Sequence, residues 1–431
     1  MGNNSTKSDT LKSAVTELSK EKIHQIGLLF NTNNCEKTEI TEDKLKGIWH
    51  KYLSKGLLTA ILGVIFANKK IYVMFEDFID FYWKACENTN ESEAEIILEL
   101  TKTIGNGCKR HEYLSSVVTE FLQSYFKICA INADSSYNHW IKFGSSTDDV
   151  SSLTNYLLQG LNDKEIDFET VDLWINGNPL FRIISHNVFK TLFNTVTLED
   201  EVNLFPEFML KSGYVSILRL SDVIFLRWNL GQKSTHKWRL LYCLDNDGQS
   251  WSTFLKAITA QGPTLIVIQD TNGYVFGAFA SQSWNVNPNF YGNEDSFLFS
   301  LLPKMNTFES SGYNKNYQYI NTGQSTLPNG LGMGGVHNYW GLFLNANFGS
   351  GLVSESCTTY KNYTRLAYDK EFKMDKLQVW GVGVPDPTSE ELGERSTSVL
   401  DKDPAATAIL ELAGRTLHST EIRKMKPVDE E

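Results

Sequence analysis

The hydrophobic positions of this chain change period once, and the change divides it. From about Leu11 to Asn203 the spacing is mostly helical. Phe75, Phe78, Ile79 and Tyr82 fall at i, i+3, i+4 and i+7, the stripe of an amphipathic helix. Leu114, Val117, Val118, Phe121 and Leu122 repeat the pattern. Thr41, followed by Glu42 and Asp43, predicts a helix N-cap with an acidic first turn. The apolar run Gly56–Ala67 is too short to span a bilayer and reads as a buried helix. Polar stretches such as Asn88–Ser92 and Gly144–Asp149 separate these helices.

From Trp238 onward the apolar runs shorten and turn β-rich. Trp238–Leu244 predicts a strand, and Gly248–Gly262 a helix with Ser250 as cap and Trp251, Phe254, Leu255 and Ile258 on one face. Thr264–Gln269 and Tyr274–Phe279, joined by Asp270-Thr271-Asn272-Gly273, predict a hairpin. Ser296–Leu301, Tyr317–Asn321, Tyr339–Asn345 and Lys373–Val382 predict further strands. Short strands between turn signals indicate an antiparallel sheet packed as a sandwich, so the fold class is α+β. The expected organisation is an arm at 1–24, a helical domain at 25–204, a β domain at 205–384, and a linker with a C-terminal helix at 385–431.

Gly330, Gly332, Gly334 and Gly335 resemble a phosphate loop, but they lead into the strand-like Asn338-Tyr339-Trp340-Gly341. A dinucleotide fingerprint opens a helix and a P-loop ends in Gly-Lys-Ser/Thr, so these glycines are expected to set backbone geometry instead. His337 and Cys357 resemble a Cys–His pair but lack a third member, and no catalytic residue is expected. The eight histidines show neither HxH nor HExxH spacing, so no metal site and no cofactor are expected. The paired helices invite an EF-hand test, which fails. With Glu76 at loop position 12, Ile65, Ala67 and Lys69 occupy positions where oxygen ligands belong. Aligning Ile166 with the central apolar position puts Thr170 at position 12 and leaves Asp163 as the only carboxylate at positions 1, 3 or 5. The first half is therefore expected to be EF-hand-like in shape, without calcium ligands.

Composition narrows the classes further. A net charge of -11 argues against a general nucleic-acid binder and gives no attraction to anionic lipid. Six dispersed cysteines without a CxxC pair fit reduced thiols better than a disulfide framework. The opening MGNNST matches the N-myristoylation pattern, with Gly2 as acceptor and Thr6 in place. One acyl chain binds membranes only marginally, and residues 1–24 carry little positive charge, so a protein partner is expected to complete the anchoring. In the tail, Asp403 and Pro404 start a predicted helix ending at Gly414. Its apolar face, Ala405, Ala408, Ile409, Leu412 and Ala413, is the expected partner-binding face; whether it docks on the protein itself or on a partner stays open.

Several segments carry a family resemblance. GPTLIVIQDTNGYVFGAFASQSW, FYGNEDSFLFSLLP, SGYNKNYQYIN and KLQVWGVG occur in the order found in TLDc domains, and the chain resembles that family. LPNGLGMGGVHNYWGLFLNANF and SCTTYKN are similar to its mTOR-associated, lysosomal, N-myristoylated branch and invertebrate counterparts. The chain departs at Asp295, before Ser296-Phe297, where many members have glutamate. The resemblance implies a non-enzymatic, membrane-tethered adaptor that binds the vacuolar proton-pumping ATPase, acts in TOR-kinase and stress signalling, and sits on the cytosolic face of lysosomes or the cell cortex. The competing expectation is protection from oxidative stress by thiol chemistry at Cys243 or Cys357.

Overall fold

The computed structural model describes residues 18–30, 38–67, 71–87, 90–108, 110–131, 135–145, 150–161, 166–196, 204–208 and 213–387. The elements below belong to the first of two units, Met1–Val384; the second is Pro385–Glu431. The helical half contains α1 (Lys20–Leu28), β1 (Glu39–Thr41), α2 (Glu42–Trp49), α3 (Lys55–Ile65), β2 (Tyr72–Met74), α4 (Phe75–Cys86) and α5 (Asn90–Ile104). It continues with α6 (His111–Ile131), α7 (Ser136–Lys142), α8 (Ser151–Leu157), α9 (Phe168–Gly177) and α10 (Pro179–Leu192). β1 and β2 pair antiparallel, with Ile40 opposite Val73, and so tie two helix–loop–helix units together as in an EF-hand pair.

The predicted stripes are buried: Phe75, Phe78, Ile79 and Tyr82 on α4, and Leu114, Val117, Val118, Phe121 and Leu122 on α6. Two helix starts differ from local expectation. Thr41 occupies the N-cap of α2, but its hydroxyl makes no capping bond and its backbone is committed to the β1 ladder opposite Tyr72. α3 is capped from a distance: Glu120 Oε2 accepts Leu57 N–H at 3.0 Å and Ser124 Oγ accepts Ser54 N–H at 3.0 Å. A Cβ at Gly56 would overlap the Glu120 carboxylate, so the glycine admits the cap. Tryptophan indoles fasten other elements: Trp49 donates to Leu192 O at 3.0 Å and Trp174 to Leu157 O at 2.8 Å.

The β half follows with β3 (Glu207–Phe208), α11 (Leu220–Leu230), β4 (Lys237–Cys243), α12 (Leu244–Asp247), α13 (Trp251–Ile258), β5 (Thr264–Asp270), β6 (Val275–Ala280) and β7 (Asn287–Tyr291). Then come β8 (Phe297–Leu302), β9 (Asn306–Phe308), β10 (Gln318–Asn321), β11 (Gly330–Val336), β12 (Tyr339–Asn345), β13 (Ser350–Leu352) and β14 (Glu371–Gly381). The order is β7-β10-β11-β12-β13-β14-β5-β6-β8-β9, antiparallel along that path; β4 also pairs with β14, and β3 runs parallel to β4. β14 is the seam. Its first residues pair with β13, and Met374–Gly381 pair with β5. The β5–β6 hairpin forms as expected, and Asp270 holds its turn by accepting the N–H groups of Asn272 at 2.9 Å and Tyr274 at 2.8 Å. Ser250 caps α13, accepting Thr253 N–H at 3.4 Å.

The glycine run is itself a strand. Gly330–Val336 pairs with β10 on one side and β12 on the other. Its residues have little β propensity, so local preference gives no sign of this.

Alternating residues of β5 serve two cores. Ile266 and Ile268 face the sandwich interior with Leu298, Leu331, Met333 and Leu342. Leu265 and Val267 belong to the core that the helical half builds, together with Phe279, Phe299 and Trp380. Burial on both faces explains why β5 reads as a continuous apolar run. The helices meet the sheet at an aromatic knot. Trp140 of α7 lies 5.3 Å from Trp380, 5.9 Å from Trp238 and 4.5 Å from Phe208 between ring centroids. Its indole donates to Pro206 O at 2.9 Å. Replacing Trp380 with alanine should lower unfolding free energy by about 3–5 kcal/mol through cavity formation. Urea denaturation, followed by far-UV circular dichroism, measures the loss.

Candidate functional site

The two stretches that carry the branch-specific likeness are neighbours in space. Thr359 Oγ1 accepts Gly335 N–H at 2.8 Å and donates to Asn314 Oδ1 at 2.9 Å. Asn316 Nδ2 donates to Gly335 O at 2.7 Å. The end of the β11–β12 hairpin, the loop around Tyr313 and the 356–362 loop are thereby sewn into one surface. Tyr313, Val336 and Tyr339 are exposed on it, at 80%, 49% and 65%.

The glycines make this arrangement possible by vacating space on both faces of β11. A Cβ on Gly332 would overlap the Trp340 ring, and one on Gly330 would overlap Phe343 and the Leu344 carbonyl. The Trp340 and Phe343 rings, stacked at 4.6 Å, lie across that side of the strand and form an outer aromatic strip with Tyr319. On the inner side a Cβ on Gly334 would overlap Tyr360 and crowd Cys357 Sγ. Gly334 and Gly335 also take φ of +73° and +83°, a region that side-chain-bearing residues avoid.

His337 and Cys357 do not form a pair. His337 stacks on Phe290 at 5.5 Å in the outer strip, and its Nε2 has no hydrogen-bond partner among the described residues. Cys357 packs in the sandwich interior. Burial pushes its thiol above the ordinary value, as it pushes Cys129 up to about 12. Cys243 is buried as well, with Gln378 Nε2 at 3.7 Å and Asn246 Oδ1 at 3.5 Å from its sulfur. Gln378, which the strand pattern did not single out, also accepts Ile217 N–H at 3.2 Å and donates to Val215 O.

Beside this surface a cavity of about 340 Å³ is lined by polar and charged groups that include Lys233, Asp295, Ser296, Glu309 and Lys361. Asp295 is half exposed and pairs with Lys233 at 3.3 Å. Ser296 is fully buried, and its Oγ lies 2.8 Å from Ser281 Oγ in a hydrogen bond and accepts Ser281 N–H at 3.2 Å. A hydroxyl committed in this way positions the loop, and no general base approaches it in a hydrogen bond among the described residues. No group of three or more His, Cys, Asp or Glu that could hold a metal occurs among the described residues. No described helix is long and apolar enough to cross a membrane. Gly2 and the tail face Ala405, Ala408, Ile409, Leu412 and Ala413 lie outside the described residues.

The fold and its loop surface define a TLDc domain preceded by a helical half, and residues 212–383 match the TLDc domain family. The likeness extends beyond that domain. The chain is 33% identical over 384 residues to MTOR-associated protein MEAK7 of Xenopus laevis, covering 82% of this chain and 81% of that protein. It is 44% identical over 274 residues to the Mus musculus protein of the same name, covering 62% of this chain and 59% of the mouse protein. The chain therefore belongs to the TLDc family of MTOR-associated protein MEAK7. A shorter stretch of 146 residues is 32% identical to Oxidation resistance protein 1 of Bos taurus, covering 34% of this chain.

Two measurements follow from the buried thiols and the vacated strand face. Among the described cysteines Cys108 is exposed and should react first with a thiol reagent under native conditions, whereas Cys357 should label only on unfolding. Because burial holds the Cys357 and Cys129 thiols protonated in the native state, their contribution to stability is complete below the unfolded value near 9 and is lost as pH rises above it. The melting temperature should accordingly fall between about pH 8.5 and 10.5. Separately, Gly332→Val should cost about 1–3 kcal/mol or more by overpacking against Trp340, read as a lowered urea midpoint.

Proposed function

We propose that this protein is a non-enzymatic regulatory adaptor, tethered to a membrane through an acylated Gly2 and engaging its partners through the TLDc surface and the C-terminal helix. The observation that carries the reading is the likeness that runs through both halves to relatives named as mTOR-associated. An adaptor role also suits a surface whose conspicuous residues define shape: the aromatic strip over β11 and the sewn loops around Gly335 present a rigid face. The partners we propose are subunits of the vacuolar proton-pumping ATPase and the TOR kinase complex. The site of action is the cytosolic face of the lysosome or the cell cortex. One myristoyl chain holds a protein at a membrane only reversibly, so partner binding supplies the second attachment.

The opposing reading, thiol-based protection from oxidation, draws on the likeness to Oxidation resistance protein 1. It is weakened by the burial of Cys243 and Cys357, which keeps both sulfurs away from solvent, and at Cys357 burial also opposes formation of the reactive thiolate.

Affinity purification of wild type, Gly2→Ala and a chain ending before Pro404 tests the adaptor. Gly2→Ala should leave the membrane fraction while retaining pump subunits. The truncated chain should lose those subunits and keep only the weak, reversible membrane binding of a single acyl chain. Equal recovery of partners and membrane from all three proteins would refute the assignment. Cysteine-to-serine variants at 243 and 357 should leave partner recovery unchanged.

A further inference from the structure

The cavity between the start of β8 and the 356–362 loop has no part in the adaptor function. Every residue that lines it lies in the continuously described stretch 213–387. Its charges come from three places. Lys233 follows α11, Glu294 and Asp295 precede β8, and Glu309 and Lys361 sit across from each other on a short ladder. In that ladder Ser310 bridges Tyr360 antiparallel, and Lys361 N–H donates to Glu309 O at 2.8 Å. Opposite charges in such cross-strand positions ordinarily attract each other, with Cβ atoms about 5 Å apart. Here no ion pair closes: Glu309, Lys361 and Glu294 are each without an ionic partner among the described residues. Lys233 is taken by Asp295 at 3.3 Å.

A solvated ladder end accounts for one exposed glutamate beside one exposed lysine. It does not account for a concave space of about 340 Å³ with separate charges on its walls. That size falls within the roughly 300–1,000 Å³ of small-molecule sites. The carboxylates are not gathered for a metal, since no group of three or more that could hold one occurs among the described residues. With Lys233 and Asp295 cancelling, Lys361 is set against two glutamates. The complement is an organic molecule with one carboxylate and two separate cationic groups. A polyamine would place a like charge on Lys361, and a neutral amino acid would leave one glutamate unmatched. Phe297, buried in the lining, supplies an apolar surface for methylene groups.

We propose that this cavity binds a free basic α-amino acid, with its carboxylate on Lys361 and its two cationic groups on Glu309 and Glu294. All three side chains belong to exposed residues, so each contact is screened by water and the dissociation constant is on the order of 1 mM. The site does not rest on the adaptor reading: binding needs no membrane, tail or partner protein, and either assignment can fail while the other stands.

Isothermal titration calorimetry of the full chain tests the site with four ligands. L-arginine should bind one-to-one, with an affinity that falls as salt rises. Agmatine lacks the carboxylate and L-citrulline lacks the side-chain charge, so each should bind about five-fold more weakly or less well still. Lys361→Ala and Glu309→Gln alter exposed positions and should fold normally by circular dichroism. Each should weaken L-arginine by about five-fold, and Lys361→Ala should not weaken agmatine, which has no carboxylate to lose a partner. Lys370→Ala removes an equal charge outside the cavity and should bind L-arginine as wild type does. Equal loss in Lys361→Ala and Lys370→Ala would reduce the effect to overall charge and overturn the site. So would absence of saturable binding, or equal affinity for L-arginine, agmatine and L-citrulline. Tighter binding of the tetrapeptide Gly-Gly-Gly-Arg than of L-arginine would overturn the free amino acid and assign the cavity to the C-terminus of a chain.

Discussion

The packing of Trp140 against Trp380 is the contact on which the rest of the first unit depends. It brings the helical half onto the sheet, with Phe143 and Phe208 completing the cluster at 5.6 Å from Trp380. The indole N–H of Trp140 is satisfied by Pro206 O, whereas those of Trp238 and Trp380 find no acceptor among the described residues. Each unsatisfied N–H costs about 1–3 kcal/mol, so the aromatic contact area must outweigh that loss. The same contact makes β5 an interior strand, and this is why one half of the chain cannot be exposed without stripping the face of the other.

On the opposite side of the sandwich, aromatic rings and glycines have exchanged places. β12 carries Trp340 and Phe343, and β11 gives up its own side chains beneath them. The arrangement buries apolar area on a sheet face where none of the described helices contributes to the aromatic cluster. It also stiffens the hairpin that ends in Val336 and Tyr339, next to the loops fixed by Thr359 and Asn316. A rigid, partly aromatic face is well suited to binding, because little side-chain freedom remains to be lost on association.

Legibility differed by element. The stripes on α4 and α6 follow from the 3.6-residue period, and the β5–β6 hairpin, β12 and most of β14 follow from short β-rich apolar runs bounded by turn signals such as Asn272-Gly273. β11 did not follow, because four of its seven residues are glycine and carry no side chain to display a period. Its strand state comes from ladders on both sides. The distance between His337 and Cys357 in role was equally hidden: twenty residues apart in sequence, they lie in separate aromatic and interior clusters. The TLDc likeness was legible because it rests on order and identity of segments. The surface those segments make was legible only in space.

By itself the sequence determined the periods, the caps that use local hydroxyls such as Ser250, the family and the absence of calcium-ligand spacing, all of which depend on residues close together in the chain. Tertiary structure alone decided how Glu120 caps α3, why Gly56 leaves room for that carboxylate, and which face of β5 meets the helices. Each of these joins residues dozens of positions apart, and no local pattern records which distant side chain will fill the space a glycine leaves or accept an unpaired N–H.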